Sequence, residues 1–375
     1  SATRAIDIDV AIARASSSSS SSSRRPRHRP RAARPRPSAS PRRPRVVVAR
    51  ASSAEDAAAR PVLVVSDLDG TMVGDDDATR AFTRTWTNGS SSSALRGAGV
   101  PAGSALVYST GRSLESFASL IEEKAAVMAT PDALVCAVGT KVYRRARGSN
   151  PPLPAWLGWE EDPAWTARLD RGWDFDAVLE IARDAIETRV GAEEAHFRPR
   201  EEFTSHKITI GARDEVVETL VAHVSARCAA KNLDVKCIAS GVGGWQYVDI
   251  VAAGAGKLES LEYVREAYGV ALERCVACGD SGNDELMLAG ACRAVVVGNA
   301  QPALMRWAEL EAEKNAEVEV GDGGDAEGRT PGSAKRLHIA ERAEAYGILE
   351  GLEAFGLLKG VPRPSRAGLP TAPFL

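Results

Sequence analysis

From Pro61 onward, short apolar runs alternate with stretches of helical periodicity, and few folds are compatible with that order. Continuous apolar runs are typical of strands that are buried on both faces, as in parallel sheets covered by helices. A helix is predicted over 113–124, because Leu114, Phe117, Leu120 and Ile121 recur on one face. The pattern therefore predicts an α/β fold with a doubly wound, mostly parallel sheet. Its expected strands are 62–66, 105–109, 133–138, 247–251, 275–278 and 294–297.

The segment between residues 151 and 246 has a different texture. Two amphipathic helices are predicted around 175–186 and 217–224. The runs 206–211 and 234–237 alternate apolar and polar residues, as strands with one solvated face do. We therefore expect a small α+β domain inserted into a larger one, which would comprise residues 61–150 and 247–361, followed by a flexible tail at 362–375.

The first 60 residues are not expected to fold. They include eight consecutive serines, Ser16–Ser23, and an Arg/Pro-rich tract with few apolar side chains. A Ser-rich, Arg-rich and acid-poor segment is typical of a transit peptide, which would direct the chain to a plastid. A disordered arm or a misassigned gene start is an equal alternative, and a cytoplasmic location is then expected. No run approaches the roughly 20 apolar residues that a bilayer requires, so we expect a soluble protein without a membrane partner.

Charge and cysteine usage exclude two further classes of function. Residues 1–50 hold 13 arginines and only two acidic residues, which leaves 34 basic and 48 acidic residues beyond them. The folded part therefore carries a net charge of about −14, which argues against a nucleic-acid-binding surface there. Cys275 and Cys278 form a CxxC pair, but they lie in an apolar run without a second pair or a nearby histidine. We interpret them as buried strand cysteines.

The apolar run 62–66 ends in Asp67 and Asp69, two carboxylates separated by one residue and followed by Gly70 and Thr71. Catalytic groups in open parallel sheets lie at the carboxyl ends of strands. As the chain leaves the strand, the two carboxylates can point in different directions, so one can attack phosphorus while the other transfers protons. Asp-Gly-Thr also marks ordinary turns, so this motif alone leaves both interpretations open.

Three later motifs also lie at predicted strand ends or helix starts. Ser-Thr-Gly-Arg at 109–112 follows the second strand, where a hydroxyl and backbone amides could hold phosphoryl oxygens. Lys257 opens a helix after the glycine-containing run 253–256, and it could neutralise charge on a nucleophile and a phosphoryl group. Gly-Asp-Ser-Gly-Asn-Asp at 279–284 gathers carboxylates for a hard cation such as Mg²⁺. Together, in this order, the motifs favour phosphoryl transfer.

The run Gly-Ala-Gly-Lys at 254–257 could also suggest a nucleotide-binding loop. A Walker A motif requires glycine five residues before its last glycine and a hydroxyl residue after the lysine. Val251 and Leu258 occupy these positions, so ATP binding is disfavoured.

The four motifs resemble those of the haloacid dehalogenase superfamily of phosphatases and phosphotransferases. Within it, the chain resembles the sucrose-6-phosphate phosphatases, also called sucrose phosphatases, over the whole region that is expected to fold. The resemblance implies a HAD-like Rossmannoid core, hydrolysis of sucrose-6-phosphate, and an inserted cap that closes over the sugar and excludes water. The matching stretches are SDLDGTMV, LVYSTGRS, AVGTKVY, SHKITI, VDIVAAGAGK, CGDSGND, VVVGNAQPALMRW and LHIAERAEAYGILEGLEAFGLL.

The resemblance also implies a role for each matching residue. Asp67 would attack phosphorus and form an aspartyl phosphate, while Asp69 would protonate the departing sugar oxygen and then activate water. Mg²⁺ would be held by the Asp67 carboxylate, the Asp69 backbone carbonyl and Asp280, with Asp284 as a further ligand or as support. Contacts to the phosphoryl group and its loops would come from Thr110, Lys257, Gly111, Arg112, Ser281 and Asn283.

The motifs restrict the identity of the sugar substrate less than they restrict the type of reaction. His206 and Lys207 are the candidates for sugar contacts, although residues at the start of a cap strand can also be surface residues. The alternatives are a phosphatase for another phosphorylated disaccharide or glycoside, and a phosphosugar mutase. A non-catalytic regulatory partner of a sugar-phosphate synthase would be expected to lack the carboxylates that this chain retains. A sucrose-phosphate synthase is a candidate partner of the active enzyme.

Overall fold

The computed structural model describes residues 60–88, 100–101, 103–145, 154–241, 244–321 and 336–358. The predicted N-terminal arm, apart from Arg60, and the predicted tail at 362–375 lie outside these ranges. Within them, no helix combines the length and the apolar character that crossing a bilayer requires.

An eight-stranded sheet forms the centre of the molecule, with strand order β12-β11-β10-β1-β2-β3-β4-β5. The six strands from β12 to β3 are parallel, and β4 and β5 are added antiparallel at one edge. The prediction of a doubly wound, mostly parallel sheet is confirmed. The strands are β1 (Leu63–Ser66), β2 (Ala105–Ser109), β3 (Ala133–Cys136), β4 (Lys141–Arg145), β5 (Trp159–Glu161), β10 (Cys275–Gly279), β11 (Arg293–Val296) and β12 (Leu337–Ile339).

Helices cover both faces of this sheet, because successive strand residues send side chains to opposite sides. Val64 packs with Phe82, Phe117 and Ile348 on one face, whereas Val65 belongs to the buried cluster on the other. Cys278 and Cys275 are free thiols buried on these two different faces, which confirms their interpretation as strand cysteines. The first face carries α1 (Asp76–Asn88), α2 (Leu114–Glu123) and α9 (Glu344–Ala354), and the second carries α3 (Pro163–Leu169), α6 (Lys257–Tyr268), α7 (Glu285–Ala289) and α8 (Pro302–Gly321).

A second, four-stranded antiparallel sheet has the order β6-β7-β9-β8. Ile208, Ile210 and Ile250 point from one face of it into a separate core, which two helices complete with Ile181 and Leu220. This is the α+β unit that the alternating patterns predict. Its elements are α4 (Phe175–Ala185), β6 (Ala195–Phe197), β7 (Lys207–Arg213), α5 (Asp214–Ala230), β8 (Val235–Ser240) and β9 (Trp245–Ala252).

Two strand assignments need correction. Residues 247–251 were expected in the parallel sheet, but they belong to β9, which pairs antiparallel with β7 and β8 in the second sheet. The end of β9 is buried on both faces, so its apolar run resembles that of a parallel core strand. Conversely, β5 lies within the segment predicted to be inserted, yet it pairs with β4 of the large sheet. We propose that the insertion begins after α3 and ends with β9.

Candidate active site

Asp67 follows β1, which lies between β10 and β2 in the middle of the large sheet. Its backbone N–H donates to the carbonyl of Cys278 at 2.9 Å, so the ladder between β1 and β10 continues to the position of the carboxylate. Asp280 directly follows β10, and its carboxylate accepts a hydrogen bond from Thr71 Oγ1 at 2.7 Å. The parallel register of two neighbouring strands therefore brings Asp67 and Asp280 to one edge of the sheet.

Lys257, at the start of α6, is the cation of this site. Its Nζ lies 2.7 Å from Asp67 Oδ1, 2.6 Å from Asp284 Oδ1 and 2.8 Å from Asn283 Oδ1. The other oxygen of Asp284 accepts the backbone N–H groups of Asp280 and Ser281. Asp284 is fully buried, and it connects the lysine to the loop after β10.

Two glycines, one in the loop before Lys257 and one in the loop after β3, allow Lys257 to lie beside Asp67. Gly256 has a φ of 136°, a conformation that residues with a side chain rarely adopt. A Cβ atom on Gly139, in the loop after β3, would lie 2.2 Å from the Gly256 carbonyl oxygen. Because Gly139 has no Cβ atom, the two backbones approach closely, and α6 begins directly beside the carboxyl ends of the strands.

Burial and charge oppose each other in this cluster. Burial raises the pKa of Asp67 to about 7, although Lys257 opposes the shift by attraction. Burial also raises the pKa of Asp280 to about 6, and its hydrogen bond from Thr71 opposes that shift. Burial alone would lower the pKa of Lys257, but Asp284 and Asp67 outweigh it and raise the pKa above its usual value.

The same cluster has the composition of a site for a divalent cation. One oxygen each of Asp67, Asp280 and Asp284 lies within 4.8 Å of the others. Three ionised carboxylates and one lysine carry a net charge of −2, and Asp67 and Asp280 resist ionisation in the absence of a further cation. Carboxylate oxygens are the ligands that hard cations prefer. The residues present therefore fit a divalent ion of the Mg²⁺ type.

Asp69 lies outside this buried cluster and faces Arg112. The guanidinium binds its carboxylate with two hydrogen bonds, from Nε at 2.8 Å and from Nη2 at 2.6 Å. The Arg112 backbone N–H donates to the buried Thr110 Oγ1 at 3.1 Å, which connects this pair to the end of β2. Nothing in the sequence pattern predicts the contact between Arg112 and Asp69.

A cavity of about 570 Å³ opens between the two sheets next to this pair. Gly111, Arg112 and Lys141 line it from the large-sheet side, and Glu201 and Lys207 line it from the second-sheet side. The lining therefore combines charged groups of both signs with backbone at Gly111. Hydroxyl-rich ligands are commonly bound by such hydrogen-bonding groups.

The two predicted sugar contacts have different surroundings. Lys207 lines the cavity, and its ammonium group lies 3.2 Å from the buried Asp249 Oδ1, which also accepts from Thr209 Oγ1 at 2.6 Å. The ring of His206 is buried outside the cavity lining and lies 2.8 Å from Asp170, at the end of α3. His206 therefore joins the start of β7 to the end of α3, a helix that packs on the large sheet.

Sequence reasoning missed four polar groups around the site. Thr71 appears in the first motif, but its hydrogen bond to Asp280 spans 209 residues. Asp249 lies in the stretch VDIVAAGAGK and was not singled out. Lys141 Nζ bridges the sheets, at 2.7 Å from Glu161 and 3.1 Å from Ser205. The side chain of Asn299, in the run VVVGNAQPALMRW, donates to the carbonyl of Gly70 at 2.8 Å.

Comparison with protein families gives one match that covers most of the folded region. The model of the family described as sucrose-6F-phosphate phosphohydrolase matches residues 60–332. Sucrose-phosphatase 2 of Nicotiana tabacum is 33% identical over 261 residues, which represent 68% of this chain and 55% of that protein. The chain thus spans about half the length of the plant relatives it matches. Mannosylfructose-phosphate phosphatase of Agrobacterium fabrum is 27% identical over 250 residues, 66% of this chain and 88% of the relative.

Comparison with solved structures supports the fold. The sucrose-phosphatase from Synechocystis sp. PCC6803, solved in complex with sucrose and phosphate, matches with a TM-score of 0.57 and 24% identity. The match covers 79% of this chain and 98% of that one. The same arrangement of a mostly parallel sheet with helices on both faces is therefore present in a phosphatase.

Proposed function

Because this chain belongs to the sucrose-6F-phosphate phosphohydrolase family, we propose that it is a Mg²⁺-dependent phosphatase that hydrolyses sucrose-6-phosphate to sucrose and phosphate. The observation that carries the proposal is the buried Asp67 carboxylate, 2.7 Å from Lys257 and within reach of two further carboxylates. A regulatory domain without activity would not need to retain this costly cluster of buried charge.

In the first half of the proposed reaction, an oxygen of Asp67 attacks phosphorus in line with the bond to the sugar. The bond between phosphorus and the sugar oxygen breaks, and Asp69 donates a proton to that oxygen. A sugar alkoxide is a poor leaving group, so this proton transfer lowers the barrier substantially. Lys257 and Thr110 stabilise the phosphoryl oxygens as the group transfers. Sucrose leaves, and phosphate remains bonded to Asp67.

In the second half, water attacks the phosphorus of the aspartyl phosphate and Asp69 accepts its proton. The bond to Asp67 breaks, phosphate departs and the carboxylate is regenerated. Arg112 contributes by orienting Asp69, since its two parallel hydrogen bonds hold the carboxylate in one plane. Both Asp69 oxygens accept from Arg112, so one of these hydrogen bonds must be released when Asp69 carries the proton, while the other still holds the side chain in position.

We assign the Mg²⁺ ligands to Asp67, Asp280 and the backbone carbonyl of Asp69. Bound there, the ion would screen the repulsion between the carboxylate nucleophile and the phosphate dianion. Asp284 is better placed as support than as a ligand, because both of its oxygens already accept hydrogen bonds, from Lys257 and from the loop amides. Ser281 and Asn283 complete the loop that carries Asp280.

The affinity for Mg²⁺ is expected to rise with pH, by at least about tenfold between pH 5.5 and pH 8. With Lys257 in place and no metal ion bound, the pKa values of Asp67 and Asp280 are raised to about 7 and about 6, so the ion must displace protons below neutral pH. Calorimetric titration with Mg²⁺ in two buffers of different ionisation enthalpy measures this release. We expect proton release near pH 6 and almost none at pH 8.5. An affinity that is independent of pH would contradict the assigned ligands.

For the sugar, we propose that the cavity between the two sheets binds the disaccharide and that Lys207 contacts it. Lys207 lines the cavity, and its ammonium group is held 3.2 Å from Asp249 Oδ1. His206 is assigned a structural role instead, because its ring is buried against Asp170 outside the lining. The second sheet would then select the substrate while the large sheet performs the chemistry.

A related substrate is favoured by one specific observation. The relative from Agrobacterium fabrum is named for mannosylfructose-phosphate, and the alignment covers 88% of it. Like sucrose, mannosylfructose contains a fructose unit bonded to a hexose. A phosphorylated fructose disaccharide other than sucrose-6-phosphate is therefore the second candidate.

The experiment that tests the substrate is phosphate release by the protein starting at Arg60, with Mg²⁺. The panel contains sucrose-6-phosphate, mannosylfructose-phosphate, trehalose-6-phosphate, glucose-6-phosphate and fructose-6-phosphate. We expect the highest kcat/KM for sucrose-6-phosphate, with the free hexose phosphates disfavoured because they fill only part of the cavity. A higher value for mannosylfructose-phosphate would establish the second candidate, and no release from either disaccharide phosphate would reject both.

A further inference from the structure

The side chain of Asn299 connects the catalytic turn to the C-terminal helix. Its Nδ2 donates to the carbonyl of Gly70 at 2.8 Å, and its Oδ1 accepts the backbone N–H of Glu344 at 2.8 Å. Gly70 directly follows Asp69, and Glu344 is the first residue of α9. A single side-chain amide thus bridges two backbone segments that are far apart in sequence.

The chemistry of the two partners fixes how this amide must be oriented. A backbone carbonyl can only accept a hydrogen bond, and a backbone N–H can only donate one. The NH₂ group must therefore face Gly70 and the oxygen must face Glu344. No other residue type of the same size can satisfy both partners, because aspartate lacks the donor and leucine lacks both groups.

The turn that Asn299 contacts carries the residues of the proposed reaction. Three consecutive amides, from Thr71 to Val73, donate to the carbonyl of Leu68, and Gly70 has a φ of 81°. A Cβ atom on Gly70 would lie 2.8 Å from Asp280 Oδ2, so the turn is already in tight contact on that side. Asn299 holds the carbonyl of the same residue from another direction.

The second partner of Asn299 belongs to a segment beyond the family match, which ends at residue 332. Within this segment β12 pairs in parallel with β11 and adds the last strand to the large sheet. Ile348, Leu349 and Leu352 of α9 are fully buried in the same core cluster as Phe82 of α1. The start of α9, where the Glu344 N–H donates to the Asn299 oxygen, is therefore firmly anchored.

We propose that Asn299 is a positioning residue for catalysis, which ties the turn carrying Asp67 and Asp69 to the anchored start of α9. The inference rests on the proposed function, since it assigns the turn to the reacting groups. The bridge restricts the position of the Gly70 peptide and with it the backbone on which the nucleophile, the acid and the assigned Mg²⁺-binding carbonyl lie. A displacement of about 1 Å in such groups lowers rates by about a hundredfold.

The decisive variant is Asn299→Asp, because it retains the oxygen that accepts from Glu344 and replaces the donor to Gly70 with a charged oxygen that repels the carbonyl. We expect kcat to fall about 10- to 100-fold, with KM for the phosphate ester changed by less than about threefold, and Mg²⁺ affinity by calorimetry to weaken. The melting temperature should stay near that of the wild type. Gln301→Glu is the matched control, since it makes the same amide-to-carboxylate change at an exposed side chain two residues away.

Asn299→Ala extends the test, because it removes both contacts. It should lower kcat as much as Asn299→Asp and also lower the melting temperature. A kcat for Asn299→Asp within twofold of Gln301→Glu would overturn the inference, as would a loss of kcat explained by the unfolded fraction seen in circular dichroism. If the wild type hydrolyses no ester, that result counts against the proposed function. The Mg²⁺ affinities of the two variants then test the inference about Asn299. Equal affinities of Asn299→Asp and Gln301→Glu for Mg²⁺ would reject it.

Discussion

Replacing Asp67 with asparagine is expected to lower kcat by about 10⁴-fold or more while leaving the protein folded. The amide is a poor nucleophile towards phosphorus, so the aspartyl phosphate cannot form and the two-step route is closed. The measurement is Mg²⁺-dependent phosphate release by Asp67→Asn, with the preferred ester of the wild type at saturating concentration. Trapping of radioactive phosphate on the protein after rapid acid quenching should succeed with the wild type and fail with the variant.

The same substitution should not lower the stability of the metal-free protein at pH 8. The pKa of Asp67 is about 7 in the folded protein and close to its usual 3.8 in the unfolded chain, so the folded state holds this proton more tightly. The contribution of the group to stability is therefore fully present below pH 3.8 and is lost as pH rises towards 7. Asparagine cannot ionise, and it removes this penalty. We expect the melting temperature of Asp67→Asn at pH 8 to equal or exceed that of the wild type.

Asp77→Asn is the matched control for both effects. Asp77 lies in the first turn of α1, and its exposed carboxylate pairs with Arg80. Surface pairs of this kind contribute about 0–1 kcal/mol, so neither kcat nor stability should change appreciably. Retention of more than about 1% of wild-type kcat by Asp67→Asn, without back-conversion to aspartate by mass spectrometry, would contradict nucleophilic catalysis by Asp67.

The residues at the ends of parallel strands could be predicted from the sequence because their positions follow from strand direction. Asp67, Thr110 and Asp280 each follow an apolar run, and parallel strands bring such residues to one edge of a sheet. The structure places all three there, directly after β1, β2 and β10. Lys257 could be located only as the start of a helix, since its distance of 2.7 Å from Asp67 depends on the close approach of Gly139 and Gly256.

Contacts between side chains that are distant in sequence could not be predicted in this way. Arg112 binds Asp69 across 43 residues, Lys207 binds Asp249 across 42, and Asn299 binds Gly70 across 229. No periodicity relates such pairs, because each depends on how separate elements pack. The sheet to which residues 247–251 belong was missed for a similar reason. Burial on both faces makes an apolar run in an antiparallel sheet indistinguishable from one in a parallel sheet.

The division of labour between the two sheets follows from these different origins. Asp67, Thr110 and Asp280, which are assigned to bond cleavage, lie at backbone positions set by strand direction. Groups assigned to the sugar lie on β7 and in the segment before it, where only tertiary packing fixes their orientation. Reaction class is accordingly more accessible to sequence reasoning than substrate identity.

Replacing Lys257 with methionine is expected to abolish activity and to reduce the free energy of unfolding of the metal-free protein by about 3–5 kcal/mol at pH 8. Methionine has a similar length but no charge, so it leaves Asp67 and the fully buried Asp284 without the cation that both contact. Urea denaturation of Lys257→Met, with and without Mg²⁺, measures the effect. Native domains are stable by only about 5–15 kcal/mol, so a large part of the protein's stability depends on this one ammonium group.

The pH dependence separates unpaired charge from a simple packing defect. Without Lys257 the pKa of Asp67 should rise further above about 7, so protonation on going to pH 5.5 should restore much of the lost stability. Added Mg²⁺ should restore part of the lost stability at pH 8, because the ion supplies positive charge to the same carboxylates.

Lys236→Met is the matched control. Lys236 pairs with Glu259 of α6 at a partly exposed position, so its replacement should change the free energy of unfolding by less than about 1 kcal/mol. An equal loss of unfolding free energy in Lys257→Met at both pH values would indicate a cavity effect and contradict the electrostatic role. The double variant Lys257→Met/Asp284→Asn provides a second test. If it regains stability but not activity, the stability is assigned to charge pairing and the catalysis to the lysine itself.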